Sequence, residues 1–166
     1  MTDLTDIAPA FIDIAHRIVW ATVATVDRHS RPRSRVLHPI WEWEDGTLSG
    51  WVGTGPTPVK VADLEHSPYV SVSYWDSQHD IATAECRATW HHDDDTCRRI
   101  WDAYVAAPPP LGYDPSIIPA WSDPTRPEFA VLEFTPWRLR VFPGSALLGE
   151  GEVLNWRAAA ADDQPM

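Results

Sequence analysis

Residues 19–75, VWATVATVDRHSRPRSRVLHPIWEWEDGTLSGWVGTGPTPVKVADLEHSPYVSVSYW, carry the pattern that decides the fold. Val19 to Val26 is rich in β-branched residues, which suit a pleated, half-buried surface, and predicts a strand. The polar turn Asp27–Pro32 joins it to a second run, Arg33 to Glu42. Asp45-Gly46 is a two-residue hairpin signal leading into Thr47–Gly53, so the three runs make a meander. Thr57 then stands where a helix cap belongs, with Pro58 at the first helical position of a segment reaching His66. Ser67-Pro68 stops that helix. Beyond it Val70, Val72 and Tyr74 alternate with Ser71, Ser73 and Trp75, which is a strand with one buried face.

The flanks extend the same pattern. Residues 8–17 predict a short helix with Phe11, Ile14 and Ala15 on one face. Ile81–His91 reads as a strand, and Asp93–Asp95 opens a longer helix with Cys97, Ile100, Trp101, Tyr104 and Val105 at helical spacing. Residues 107–127 hold seven prolines and predict a loop anchored by Leu111, Tyr113 and Trp121. Strands are expected at Phe129–Thr135 and Trp137–Phe142, divided by Pro136. The sum is a mainly β, α+β chain: an antiparallel barrel of about six to seven strands with short inserted helices. Residues 1–157 form one domain, and 158–166 are expected to be a disordered tail.

Composition sets the outer bounds. The 166 residues are 44% hydrophobic, enough for one full core. No stretch has the roughly 20 apolar residues that span a bilayer, and the start lacks a basic segment ahead of an apolar run. A cytoplasmic protein is expected. A net charge of −11 is repelled by nucleic acid and by anionic membrane, which argues against both as partners. Cys86 and Cys97 read as small buried hydrophobes. Ten tryptophans exceed what a small barrel interior holds, and the surplus favours a subunit interface, hence a homodimer.

Against that acidic background Arg28, Arg31, Arg33 and Arg35 reverse the local sign. Period two puts Arg33 and Arg35 on one strand face, roughly 7 Å apart, where two guanidinium groups can share a phosphate or a carboxylate. The alternative is an exposed turn whose charges protect a sheet edge. The Gly53–Lys60 loop enters a helix, and a helix start exposes unpaired N–H groups that suit an anion. Thr54 and Thr57 add hydroxyls, and Lys60 lies in the first turn; the alternative is a solvated surface lysine. His91-His92-Asp93-Asp94-Asp95 has the spacing of helix capping rather than of a metal site, so no metal is expected. No side-chain pattern for acid–base or nucleophilic catalysis stands out, so no catalytic residue is assigned.

In order and spacing, Arg31-Pro32-Arg33-Ser34-Arg35-Val36-Leu37-His38, Gly53-Thr54, Lys60-Val61-Ala62-Asp63-Leu64 and Pro68-Tyr69-Val70-Ser71-Val72 resemble a known family. It is the pyridoxamine 5′-phosphate oxidase-like split β-barrel family, and the likeness runs from about residue 8 to 143. The resemblance implies a flavin-type cofactor, FMN or alternatively the deazaflavin F420, in a cleft between two barrels of a homodimer. It implies that Arg35 and Lys60 hold the phosphate, while Val36, Leu37, Gly53 and Thr54 line the ring and ribityl chain. Family oxidases carry a basic residue just before the lysine. Here Pro58 and Val59 stand there, and Arg33 is the candidate to replace that charge. The C-terminal basic signature of vitamin B6 oxidases is matched only by Arg138-Leu139-Arg140, so the likeness does not extend to that substrate. The implied activity is an oxidoreductase acting on an unspecified small molecule; the alternative is a flavin-binding module without turnover. In either case residues 107–127 are expected to wall the cleft.

Overall fold

The computed structural model describes residues 1–159. Eight strands form one antiparallel sheet: β1 Ala21–Val26, β2 Pro32–Leu37, β3 Ile40–Glu44, β4 Thr47–Thr54, β5 Tyr69–Trp75, β6 Ile81–His91, β7 Ala130–Phe142 and β8 Leu154–Arg157. Their order is β2-β1-β5-β6-β7-β4-β3, with β8 pairing the second half of β7. The sheet curls but does not close, so its free edges are β2 and β3, which are neighbours in the chain. This is the split barrel expected from the sequence, with one more strand than the six to seven anticipated. The run Arg33–Glu42 breaks at His38-Pro39, because proline has no N–H to continue the ladder. Conversely, the two final strands are one, and Leu154–Arg157 adds the eighth. The expected tail lies outside the described residues from 160 onward.

Three helices complete the fold: α1 Leu4–Ile18, α2 Pro58–His66 and α3 Asp94–Ala106. Helix α1 begins earlier than its periodicity suggested and carries Pro9 inside it. Its buried stripe of Ile7, Ala8, Phe11, Ile14 and Ala15 packs into the same core as Trp41, Leu48, Val52, Val72 and Tyr74. Phe11 meets the Trp41 ring edge-on at 4.7 Å, and the Trp41 indole donates to the Tyr74 hydroxyl at 2.8 Å. A second, smaller core lies under α3, where Ile100, Trp101 and Tyr104 pack on Ile40, Phe129 and Val131. Asp93 caps α3 by accepting from the Thr96 N–H, as its acidic start implied. Asp45 and Gly46 both take positive φ, the geometry of a tight hairpin turn. Both cysteines are free and buried. Among the described residues no helix is long and apolar enough to cross a membrane.

Candidate functional site

Helix α2 leaves the end of β4 through Gly55–Thr57 with Pro58 at its first position, which fixes the direction of the first turn. Lys60 therefore points back toward the barrel and is only 7% exposed. Its ammonium donates to Thr54 Oγ1 at 2.6 Å and to the Gly55 carbonyl at 2.8 Å. The Trp90 ring lies 5.9 Å away, and the buried Trp90 indole N–H has no acceptor. Among the described residues Lys60 forms no ion pair with a carboxylate. Loss of water on burial and the nearby Arg35 guanidinium push its pKa down to about 8.

On β2, Arg33 and Arg35 do share a face, and that face meets α2 through Asp63. Asp63 accepts from the Thr25 hydroxyl at 2.8 Å and lies 3.5 Å from Arg35 and 3.9 Å from Arg33. Arg35 also donates to Thr25 Oγ1 at 3.0 Å. Asp27 takes Arg31 Nε at 2.9 Å, Arg33 at 3.1 Å and two backbone N–H groups. Those partners, Arg31 first, hold its carboxyl well below the usual carboxylate range. Three arginines (Arg31, Arg33 and Arg35) thus share two carboxylates, and with Lys60 beside Arg35 they make a local positive surplus on a chain of charge −11. A shallow depression of about 380 Å³ opens beside them, between the Arg28–Arg33 turn and the outer side of α2. Chemically, this neighbourhood suits a compact anion such as a phosphate monoester.

The other expected residues lie in different surroundings. Thr54 touches Lys60 directly. Gly53 lies beneath α3: a Cβ there would come within 2.6 Å of the Phe129 ring, and its N–H donates to the Tyr104 hydroxyl at 3.2 Å. That hydroxyl in turn donates to the His38 carbonyl at 2.5 Å, tying the β2–β3 corner to the end of β4. Leu37 packs toward the core, whereas Val36 lies on the opposite face of β2 and is 63% exposed. Sequence reasoning missed Asp63, Thr25 and Trp90. Asp63 shares a helix with Lys60, but its partners sit on strands far away in the chain. Residues 107–113 pack on the same corner, with Tyr113 stacked on His38 at 5.0 Å.

No family model matches the sequence, and no curated protein does either. Solved structures do. One from Clostridium acetobutylicum, described as related to general stress protein 26 of B. subtilis (pyridoxinephosphate oxidase family), superposes with a TM-score of 0.69 at 13% identity. The match covers 94% of this chain and 96% of that one. The chain has the pyridoxamine 5′-phosphate oxidase-like split-barrel fold. A Nostoc punctiforme protein described as pyridoxamine 5′-phosphate oxidase-related and FMN binding superposes at 0.63 with 16% identity, covering 94% and 90%. A protein described as an F420 reductase superposes at 0.51 with 13% identity, covering 75% and 90%.

Proposed function

We propose that this split barrel binds FMN, with F420 as the alternative, and works as a homodimeric oxidoreductase on a small molecule. The observation that carries the reading is Lys60: a buried ammonium beside a second cation, with no carboxylate paired to it among the described residues. An anion placed there relieves the repulsion that the fold itself creates. Lys60, Arg35 and the unpartnered Trp90 indole are all donors, the chemistry a phosphate requires. The residues present therefore fit a flavin phosphate. When bound, the cofactor supplies the redox chemistry, and this chain supplies binding and placement.

Dimerisation is supported by the outer face of β2-β1-β5-β6. Its rows run Val36–Thr22–Ser73–Thr83 and Ser34–Ala24–Ser71–Glu85, mostly small or hydroxyl-bearing side chains. Exposed Val36, Tyr69 and Trp75 stand among them. A sheet face of small, largely uncharged side chains suits a second copy of itself.

The test is titration of wild type and Lys60→Ala with FMN and with riboflavin, which lacks the phosphate, followed by flavin fluorescence. A charge-assisted hydrogen bond contributes roughly 1.5–3 kcal/mol, so Lys60→Ala should lose about one to two powers of ten for FMN and little for riboflavin. Arg28→Ala, which removes a guanidinium that hydrogen-bonds His29 in the exposed turn, should change little. Equal losses for both ligands would remove the phosphate assignment. Reduction of the bound flavin by NAD(P)H, followed by turnover with an acceptor, separates an oxidoreductase from a binding module.

A further inference from the structure

Among the described residues four buried side-chain nitrogens lack partners: His38 Nε2 and the indole Nε1 atoms of Trp51, Trp90 and Trp137. The three indoles can only donate. His38 Nε2 is the one atom of the set that can accept. Buried polar groups are nearly always paired in folded proteins, so each of these atoms is a candidate for a partner from outside the chain.

The state of the ring follows from its surroundings. A backbone hydrogen bond joins the imidazole to Leu111, and since Nε2 has no partner that bond belongs to Nδ1. Burial disfavours the cation and lowers the ring's pKa, with His16 adding a smaller push in the same direction. Nδ1 therefore carries the proton toward Leu111, and Nε2 presents a bare lone pair. Tyr104 meets the ring edge-on at 5.3 Å and is fully buried. Tyr113 stacks on it and is tied by its own N–H to the Tyr104 carbonyl. The third neighbour, Trp20, lies 5.0 Å away and at 59% is the most exposed of the three, with solvent to turn into. Through the Tyr104 hydroxyl the His38 carbonyl is tied to the Gly53 N–H, one residue before Thr54, and His38 directly follows Val36 and Leu37 in the chain.

Resting on the flavin reading above, we infer that His38 Nε2 accepts a hydrogen bond from the imide N–H of the bound cofactor ring, Trp20 turning aside to admit it. Flavins and 5-deazaflavins share that imide, so the inference is indifferent to the choice between FMN and F420. His38 is then the residue that reads the polar end of the ring, while Lys60 and Arg35 read the phosphate.

The experiment compares FMN with 3-methyl-FMN, whose imide nitrogen carries no proton, on wild type, His38→Leu and His38→Gln. Wild type should prefer FMN by roughly five- to tenfold, the scale of one hydrogen bond. His38→Leu should bind both alike, and His38→Gln, which keeps an acceptor oxygen, should recover part of the preference. The ¹⁵N resonance of His38 Nε2 should move on adding FMN and stay in place with 3-methyl-FMN, a readout that needs no turnover and no variant. Equal affinities in wild type, or a preference that survives in His38→Leu, overturns this inference and leaves the phosphate site standing. Wild type that binds neither FMN nor F420 overturns the flavin reading and this inference together. Thermal melting of each variant verifies that it is folded, and if His38→Leu is not, the wild-type ratio and His38→Gln decide.

Discussion

Lys60 concentrates the conflict between stability and binding in one side chain. Its pKa falls from 10.5 in the unfolded chain to about 8 in the fold, so between those values the unfolded chain holds the extra proton. Stability of the free protein therefore rises as pH increases from about 8 toward 10.5, while below about 8 the full cost of the buried charge is present. A bound phosphate reverses the preference by favouring the ammonium. The FMN-over-riboflavin affinity ratio should thus hold below pH 8 and decline above it, which titrations between pH 6.5 and 9.5 would record as a trend tied to this group. Lys60→Met should make the opposite trade: it removes a buried cation and keeps the stem's packing. We expect the free protein to gain on the order of 1–2 kcal/mol in urea denaturation and to lose its preference for FMN. Lys60 was legible in the sequence because a threonine, a proline and a helix start announce where the lysine sits. Asp63 was not. Its meaning comes from Thr25 and Arg35, brought to it only by the pairing of β1 with β2 and the packing of α2 on β1.

Among elements, the β2–β3 corner is where local and long-range forces meet. Arg33 to Glu42 reads as one strand by composition, yet Pro39 lacks the N–H and the chain turns there to leave both barrel edges free. The corner is held from outside by α3, through packing on Ile40 and through one hydroxyl. Tyr104 donates to the His38 carbonyl and accepts from the Gly53 N–H, so it satisfies two buried backbone groups on different strands. Tyr104→Phe strands both. It should cost about 1–3 kcal/mol in chemical denaturation, and amide exchange should speed up at Gly53 while the β5–β6 ladder stays protected. Uniform acceleration across the sheet would show instead that the corner unfolds with the whole. Pro136 misled in the other direction. It was expected to end a strand, but β7 runs through it, because the pairing with β6 skips a residue there, Cys86 facing Pro136 and Glu85 facing Arg138. The extra residue, Trp137, takes its carbonyl's partner from Ala158 instead. A bulge of this kind absorbs a missing donor, and no local pattern in β7 alone reveals it.

At the level of the whole molecule, the order of strands and inserted helices was readable because each run carries its own period and its own turn residues, from Asp45-Gly46 to Ser67-Pro68. What that reading lacked was the sheet's outer surface, since which exposed residues become neighbours depends on register. The register collects Thr22, Ala24, Ser34, Ser71, Ser73 and Thr83 into two adjoining rows of small side chains on a protein that otherwise carries a charge of −11. Two such chains repel each other over most of their surface, so association needs a patch without net charge. On β2, β1 and β5 these rows carry no charge, and on β6 Glu85 is paired within its own chain with Arg138 at 2.7 Å, while Arg87 stands exposed at the end of the face. Ser73 sits mid-row between Thr22 and Thr83, two strands in from the β2 edge. Ser73→Arg adds a long cation where a self-complementary interface would bring two copies of the same substitution together, each deprived of water and of a counter-ion. On a free sheet face the same change is close to neutral, within about 0.5 kcal/mol. Sedimentation of wild type should give a dimer at micromolar concentration, and Ser73→Arg a folded monomer with a nearly unchanged far-ultraviolet spectrum. If the cleft is shared between barrels, FMN affinity should fall with the dimer although Ser73 lies on a different strand from Lys60 and Arg35. A Ser73→Arg protein that remains dimeric would move the interface elsewhere, and a monomer that keeps full FMN affinity would confine the cofactor to a single barrel.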